Sequence, residues 1–274
     1  MFKSSIVLLF LSLSASQTEI SIVEHRIIPD EVRALRLKPT FINWSLGNNF
    51  LLLDSDNSEL FEISSSGKIK LSYGIGRRNH RYGELIWAGI SPSGVQIVDR
   101  LENEILTLDF NLNPIQNISL KHKIFPELAQ IDPWGRIFLY SSTYNGIYLF
   151  ENDNVMKEPF IDFSKDFYSN YCVEDFSINS NGEISILGCD GFFHEYSQNG
   201  MKEISIPVEI HNPEFLAPLR DDWLVLSRDG DCLSMMTLQS INISQMNYPI
   251  IDVVTLNRSI AILTKEYIFV LNVK

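Results

Sequence analysis

The sequence predicts an all-β protein, a six-bladed β-propeller whose ring is closed by an N-terminal strand joining the last blade. Two observations carry this prediction. Short apolar runs with a period of two residues fill the chain between polar turns, and no stretch has the 3.6-residue period of a long helix. One pattern of turn, strand, turn and strand also returns six times at intervals of roughly 40 residues, which is the length of a four-stranded propeller blade.

Each copy of the repeat opens at a turn residue and continues into an apolar strand. In the first copy Phe50–Asp54 is followed, after a short polar turn, by Glu59–Ile63. The residues that open the six copies are Asn49, Gly94, Gly135, Gly182, Asp222 and Ser259. Another strand-like run precedes each of them, and a fourth usually follows. Four short strands per copy predict one antiparallel blade each.

The sixth copy ends at Lys274 without a fourth strand. The alternating run Glu19–Val23, which precedes the first complete blade, can supply the missing strand. An N-terminal strand in this place closes the ring and removes an exposed sheet edge. We therefore expect a single propeller domain over residues 17–274.

Residues 1–16 have the pattern of a secretory signal peptide. Lys3 gives a positive start, Ile6–Leu11 is apolar, and the small residues Ser14 and Ser16 stand before the expected cleavage point. The apolar run is much shorter than the roughly 20 residues that span a bilayer. No second apolar run approaches that length, so we expect no membrane span after the signal is removed. The pattern predicts a secreted or periplasmic protein; a buried N-terminal strand is the alternative.

The chain is acidic, with 34 acidic against 22 basic residues and a formal net charge of −12. This charge repels nucleic acid and anionic membranes, so we expect neither as a partner. The sequence contains no nucleophile elbow, phosphate-binding loop, CxxC pair or dinucleotide fingerprint. We expect a monomer without a cofactor that binds a protein or a small ligand.

Parts of two repeats resemble the six-bladed NHL/TolB-like propeller repeat proteins. The segments that carry this likeness are Asp54–Ile63 with Ser66–Ile69, Ser91–Asp99 with Asn103–Asp109, and Gly74–Arg78 leading to Gly83–Leu85. The likeness covers about residues 40–274 and implies the propeller architecture. This group includes scaffolds, envelope proteins, sugar-lactone hydrolases and amidating lyases, so the resemblance implies no single activity.

Acidic residues recur where the chain enters the first strand of a blade. They are Glu84, Glu127, Glu174, Glu214 and Asp252. First strands of a propeller line its central channel, and every blade is entered from the same face, so we expect these carboxylates at one channel mouth. Converging carboxylates can bind a hard cation or a cationic group. A solvated acidic rim is the alternative interpretation.

The loop between the first and second blades carries the densest basic run, with Arg77, Arg78 and Arg81. We expect it on the same face as the acidic residues. Arginine supplies paired donors for a carboxylate or phosphate group, although pairing with the neighbouring acids is the alternative. This face is our predicted ligand-binding surface, and the function we expect is that of an exported, non-enzymatic binding or scaffold protein.

A second hypothesis is a metal-dependent hydrolase of the sugar-lactone type. It would hold Ca²⁺ at the acidic channel mouth to polarise an ester. The resemblance implies Glu, Asn and Asp ligands from separate blades for such a site. Glu84, Asn43 and Asp252 can be assigned to those places, but no local motif supports the assignment.

Cys172 and Cys189 flank the hairpin turn of the fourth blade. A turn centred at residues 180–181 places Ile178 opposite Glu183 and the two cysteines opposite each other. The sequence therefore predicts a disulfide between them in an oxidising compartment.

Three tryptophans, Trp44, Trp87 and Trp134, lie in or beside first strands. Aromatic side chains at such positions are expected in the core between blades. Cys232, the third cysteine, is expected to be a buried free thiol.

Overall fold

The computed structural model describes residues 20–72, 82–166, 171–243 and 249–273. The strands in these ranges form six antiparallel sheets. Each sheet is a blade, and its innermost strand contacts the innermost strands of the two neighbouring blades, so the six blades form a closed ring. The predicted six-bladed propeller is confirmed.

Blades 1 to 3 follow the N-terminal strand β1 (Ile20–Ile27), and their strands run in order from the channel outward. Blade 1 contains β2 (Phe41–Trp44), β3 (Phe50–Asp54), β4 (Glu59–Ile63) and β5 (Ile69–Leu71). Blade 2 contains β6 (Leu85–Ser91), β7 (Gly94–Asp99), β8 (Glu104–Leu108) and β9 (Pro114–Ser119). Blade 3 contains β10 (Leu128–Ile131), β11 (Ile137–Ser141), β12 (Gly146–Glu151), β13 (Asn154–Val155) and β14 (Ile161–Asp162), the last two both pairing with β12.

Blades 4 to 6 complete the ring. Blade 4 contains β15 (Val173–Ile178), β16 (Ile184–Gly188), β17 (Phe192–Tyr196) and β18 (Lys202–Pro207). Blade 5 contains β19 (Pro213–Leu219), β20 (Asp222–Ser227) and β21 (Cys232–Ser234). Blade 6 contains β22 (Asp252–Leu256), β23 (Ser259–Leu263) and β24 (Tyr267–Val273), with β1 as its outermost strand.

Helices are short in the described part of the chain. They are α1 (Asp30–Ala34), α2 (Phe163–Asp166) and a 3₁₀ turn at Leu46–Asn48. None of these segments has the length and apolar character needed to cross a membrane.

The core lies between neighbouring blades. All five residues of β3 are buried, because the middle strands of a blade are covered by sheets on both faces. Leu52 and Phe61 of blade 1, for example, pack in one cluster with Leu263 and Ile268 of blade 6. Burial of apolar area stabilises the fold by about 25 cal/mol per Å², so contacts between blades are the main source of its stability.

The strand β1 closes the ring. It pairs antiparallel with β24, from Ile20 opposite Val273 to Ile27 opposite Tyr267. The strand thus continues beyond the predicted Glu19–Val23, and residue 19 lies outside the described ranges. The N-terminal strand is the fourth strand of blade 6, as the sequence predicts.

The hairpin of blade 4 begins with a register that differs from the predicted one. Ile178 pairs with Ile184, whereas the prediction placed it opposite Glu183. The Asn179 side chain determines this turn, because its Oδ1 accepts the backbone N–H groups of Asn181 and Glu183 at 2.9 and 3.0 Å. The turn is therefore one residue longer than predicted.

A β-bulge further along the same hairpin restores the predicted pairing of the cysteines. The register shifts by one residue between Val173 and Asp175, so that Val173 lies opposite Gly188. Cys172 and Cys189 then meet, with Cα atoms 5.5 Å apart, and a disulfide joins them.

The tryptophan prediction is right for two residues and wrong for the third. Trp44 and Trp87 are buried in the core, but the Trp134 side chain is 57% exposed. Trp134 lies in the turn between β10 and β11, beside Gly182 of blade 4 and 5.2 Å from the Arg136 guanidinium carbon. Cys232 is buried and free, as predicted.

Candidate functional site

The propeller has two unlike faces. The chain enters every innermost strand from one side of the ring, which we call the entry face. Neighbouring strands in a blade are antiparallel, so the turns between second and third strands lie on this same face. The turns between first and second strands lie on the opposite side, which we call the exit face. All five predicted acidic residues stand at the starts of innermost strands, nearer the entry face.

Arg100 brings Glu84 and Glu127 together. Glu84 precedes β6, Glu127 precedes β10, and Arg100 follows β7. Arg100 Nη1 is 3.2 Å from Glu84 Oε1, and its Nη2 is 3.5 Å from Glu127 Oε1. The Ser142 hydroxyl also donates to Glu127. The three charged side chains are 31% to 45% exposed, so this network contributes little to folding and remains accessible.

Glu174 and Glu214 form a second acidic pair. Arg228 follows β20 as Arg100 follows β7, and its Nη2 lies 2.9 Å from Glu214 Oε2. Burial, then the charge of Glu214, raises the pKa of Glu174, while Arg228 opposes that rise. The entry face therefore carries two arginine-centred clusters, one between blades 2 and 3 and the other between blades 4 and 5.

Asp252 differs from the four glutamates. It is the first residue of β22, and its Oδ2 accepts the backbone N–H of Ile42 in the next blade at 2.7 Å. Asp175, which was not among the predicted residues, has the same role in blade 4. It is the third residue of β15, and its Oδ2 accepts the N–H of Leu216 in the next blade at 2.7 Å. Both carboxylates therefore connect the innermost strands of adjacent blades.

Innermost strands do not pair with one another, so the strand N–H groups that face the next blade need another acceptor. The carboxylates of Asp175 and Asp252 are such acceptors.

The surroundings of these two aspartates favour the protonated form of the carboxyl group. Burial raises the pKa of Asp252 to about 7, although its hydrogen bonds from Ile42 and Val253 act against the rise. Burial also raises the pKa of Asp175 well above its ordinary value, and the charge of Asp252 adds to this. Asp252 thus has a structural role that the prediction did not include.

The residues assigned to a metal site are engaged by the protein itself. Glu84 pairs with Arg100, and Asp252 accepts backbone N–H groups. Asn43 Nδ2 donates to the carbonyl of Ala88 at 3.0 Å. Across the described residues, no three His, Cys, Asp or Glu side chains are grouped so that they can hold a metal ion. The arrangement of these donors does not fit a Ca²⁺ site.

The loops that carry the Arg100 network also carry large exposed side chains. Leu101 is 64% exposed, Tyr144 is 52% exposed and Phe125 is 37% exposed. The backbone N–H of Phe125 donates to Asn103 Oδ1 at 3.0 Å, which joins the entry of blade 3 to the turn of blade 2. We call this area the blade 2/3 surface, formed by Glu84, Arg100, Leu101, Phe125, Glu127 and Tyr144.

The glutamates of this surface were predicted from the sequence, but its other members were not. The available signal was the apolar Leu101 in a turn that follows an apolar strand, where polar residues are usual. Arg77, Arg78 and Arg81 lie outside the described residues, so their place on the entry face stays a prediction.

No family model matches the sequence, and no curated protein sequence does. Among solved structures, virginiamycin B lyase from Staphylococcus aureus matches 93% of this chain and 99% of its own, with a TM-score of 0.61 and 11% identity. YCF48 bound to D1 peptide matches over 86% and 78%, with a TM-score of 0.59 and 11% identity. BBS1N in complex with ARL6DN matches over 93% and 97%, with a TM-score of 0.59 and 10% identity.

These likenesses establish the fold. They confirm the resemblance to six-bladed propeller repeat proteins at the level of architecture. The similar structures include a lyase as well as proteins solved with a bound peptide or protein. Because one fold supports such different functions, the function of this chain has to be argued from its own surface.

Proposed function

We propose that the protein is an exported, non-catalytic propeller that binds another protein through its blade 2/3 surface. One observation carries the proposal: exposed Leu101, Phe125 and Tyr144 stand in the same loops as Arg100 and Glu127 or in a loop hydrogen-bonded to them. Aromatic residues and arginine are enriched at the centres of protein interfaces and supply most of their binding energy.

The shape of the surface favours a protein over a small ligand. Small molecules are usually enclosed in concave pockets. Leu101 and Tyr144 instead stand on turns between second and third strands, with more than half of each side chain exposed. A flat or concave partner surface can cover such side chains together.

Arg100 is oriented before any partner arrives. Glu84 and Glu127 hold its guanidinium group from two sides, while the side chain stays 38% exposed. An arginine held in this way loses little side-chain entropy when it donates to a partner. A carboxylate or carbonyl group on the partner is a suitable acceptor.

Two features support export as part of this proposal. The pattern of residues 1–16 is that of a secretory signal peptide. Cys172 and Cys189 form a disulfide, and disulfides persist mainly in oxidising compartments such as the extracellular space and the periplasm.

The experiment is site-specific photo-crosslinking in the source organism. Tyr144 is replaced by p-benzoylphenylalanine in one strain, and Met201, which is exposed on the opposite face, in a control strain. We expect one discrete crosslinked protein from the Tyr144 position only. The variant Leu101→Asp should then weaken the purified pair by about tenfold or more, which is about 1.4 kcal/mol. Equal crosslinking at both positions, or unchanged affinity, would refute the proposal.

A further inference from the structure

Trp134 is an exposed tryptophan on the exit face. It stands in the turn between β10 and β11, and 57% of its side chain is exposed, whereas Trp44, Trp87 and Trp223 are buried. Tryptophan side chains are highly buried on average, and those that reach the surface are enriched where a protein binds something else. The exposed indole ring is therefore a candidate for ligand contact.

The surrounding turns restrict the orientation of this ring. The backbone N–H of Trp134 donates to Asp132 Oδ1 at 3.0 Å. The ring rests against Gly182 in the hairpin turn of blade 4, where a Cβ atom would lie 2.4 Å from it. The guanidinium carbon of Arg136 is 5.2 Å from the ring centroid, and Arg136 Nε is 2.6 Å from Asp132 Oδ2. A ring that is oriented before a ligand arrives loses little entropy on binding.

Neutral polar side chains flank the ring. Ser180 and Asn181 belong to the blade 4 turn on which the ring rests, and Gln198 belongs to the other exit-face turn of that blade. The two turns are adjacent, because a Cβ atom at residue 182 would lie 3.7 Å from Gln198 Cβ. All three side chains are exposed. Their amide and hydroxyl groups can both donate and accept hydrogen bonds, which suits a ligand rich in hydroxyl groups.

A cavity of about 460 Å³ adjoins Trp134 at the exit end of the channel. Pro133, which precedes the tryptophan, and Ser180 of the blade 4 turn both line it. Thr255 and Asn257 of blade 6 contribute a hydroxyl group and an amide to the same wall. The volume lies within the range of about 300–1,000 Å³ that small-molecule sites occupy. Trp134 and the cavity are thus parts of one surface.

An aromatic ring, flanking amides and an adjoining cavity together match the chemistry of a carbohydrate. A pyranose with equatorial hydroxyl groups has flat faces of C–H groups, which are attracted to the negative face of an aromatic ring. Its hydroxyl groups lie around the edge of the sugar, where Asn181 and Gln198 can exchange hydrogen bonds with them. An apolar protein segment fits this surface less well, because it would cover these amides without providing partners.

We propose that the exit face binds a chain of β-linked pyranose sugars, with one sugar ring on Trp134 and an adjacent one in the cavity. Asn181 and Gln198 exchange hydrogen bonds with the first sugar, and Asn257 does so with the second. The site lies on the opposite face from the blade 2/3 surface, so it does not depend on the proposed protein partner.

Calorimetric titration of the purified protein with cellohexaose and with chitohexaose tests this proposal. Both are chains of β-linked pyranoses with equatorial substituents. Sorbitol, which has hydroxyl groups but no ring, is titrated in parallel. We expect saturable binding of at least one hexasaccharide and none of sorbitol, because sorbitol has no flat C–H face to place on Trp134.

Substitutions at the ring locate the bound sugar. Trp134→Ala should weaken hexasaccharide binding by about tenfold or more, whereas Trp134→Phe, which keeps an aromatic face, should weaken it less. Phe110→Ala is the matched control and should bind like the wild type. Phe110 is also an exposed aromatic residue of the exit face, but it stands in the outer turn of blade 2.

Thermal unfolding monitored by circular dichroism shows that each variant is folded. Absence of saturable binding of both hexasaccharides to the wild type would overturn the proposal. Wild-type affinity in folded Trp134→Ala, or equal weakening by Phe110→Ala, would also overturn it, because the sugar would then lie elsewhere. Sorbitol binding as tight as hexasaccharide binding would show that hydroxyl groups alone are recognised, and would overturn it too.

Discussion

Asp175 and Asp252, near the starts of the innermost strands of blades 4 and 6, each accept the same kind of hydrogen bond. The donor in both cases is a backbone N–H of the next blade, Leu216 or Ile42, at 2.7 Å. One aspartate thus joins blade 4 to blade 5, and the other joins blade 6 to blade 1. Inner strands that make no ladder with each other are held together by side-chain acceptors.

This arrangement predicts that neutral and alkaline pH weaken the fold. The pKa of Asp252 is about 7 in the folded protein, against an ordinary value of about 3.9 when unfolded. The folded state therefore binds more protons between these values. The contribution of this group to stability is complete below about pH 4 and is lost as pH rises through 7, at up to about 1.4 kcal/mol per pH unit. The raised pKa of Asp175 acts in the same direction.

We expect Asp252→Asn to flatten this decline, because the amide oxygen still accepts from Ile42 and carries no charge. Urea unfolding at pH 5, 6, 7 and 8 measures the effect, and the exposed Asp153→Asn serves as the control. An unchanged pH profile in Asp252→Asn would contradict the assignment.

The disulfide of blade 4 and an ion pair of blade 2 occupy equivalent places. Cys189 N donates to Cys172 O at 3.1 Å, and Arg100 N donates to Glu84 O at 2.8 Å. We expect Cys172→Ser with Cys189→Ser to lower the free energy of unfolding by about 2–4 kcal/mol, because the crosslink restricts the unfolded chain. Glu84→Gln with Arg100→Gln should cost less than about 1 kcal/mol, since the pair is exposed.

Denaturant unfolding of both double variants tests this comparison, with reduced wild type as a further control. Reduced wild type should match the double-serine variant. A smaller loss for the disulfide than for the ion pair would show that the crosslink does not stabilise this blade.

The closing strand can be tested by two substitutions of the same kind. Ile20 is buried in a cluster with Leu271, whereas Val23 of the same strand is exposed. We expect Ile20→Asp to cost about 3 kcal/mol or more, because it buries a charge and removes apolar contacts. It should also promote aggregation, since β24 becomes an open edge. Val23→Asp should change stability by less than about 0.5 kcal/mol, and similar melting temperatures for both variants would speak against ring closure by β1.

Alanine substitutions at two glycines distinguish the free-energy cost of a strained backbone from that of a side-chain clash. Gly182 and Gly191 both have left-handed backbones, with φ of 80° and 76°. A Cβ on Gly182 would lie 2.4 Å from the Trp134 ring, whereas a Cβ on Gly191 would meet nothing within 4 Å. We expect each alanine variant to lose about 1 kcal/mol from its backbone conformation.

Only Gly182→Ala should also displace Trp134. The other three tryptophans, Trp44, Trp87 and Trp223, are buried, so a change in the emission of exposed tryptophan reports on Trp134. The same spectrum for both alanine variants would mean that Trp134 does not rest on this turn.

The blades and the closing strand could be predicted because period-two apolar runs report buried strands directly. The register within a blade could not, since a β-bulge adds one residue without changing the apolar pattern noticeably. Glu174 and Glu214 stand at the bulges of β15 and β19. The equivalent of Asp252 is therefore Asp175, one residue beyond the predicted Glu174. The cysteine pairing was predicted correctly only because the longer turn and the bulge compensate.

Arg100 and Arg228 were not predicted as members of the site, for a different reason. Arg100 and Arg228 are single charged residues in turns, and such residues are ordinary on any surface. The closed ring places each of these arginines beside a glutamate at the start of an innermost strand, so that an ion pair forms. The signal was positional: both follow the second strand of a blade, in blades that stand opposite each other.

The pairing of β1 with β24 determines when this protein can fold during its synthesis. Ile20 lies opposite Val273, so β1 has no partner until β24 has been synthesised. The blades between them can form their own hairpins earlier, but β1 and β24 are far apart in the sequence, and joining distant segments is slow. The ring therefore becomes one cooperative unit only after β24 has left the ribosome, and a nascent chain that has not reached β24 leaves β1 as an unpartnered strand for chaperones to protect.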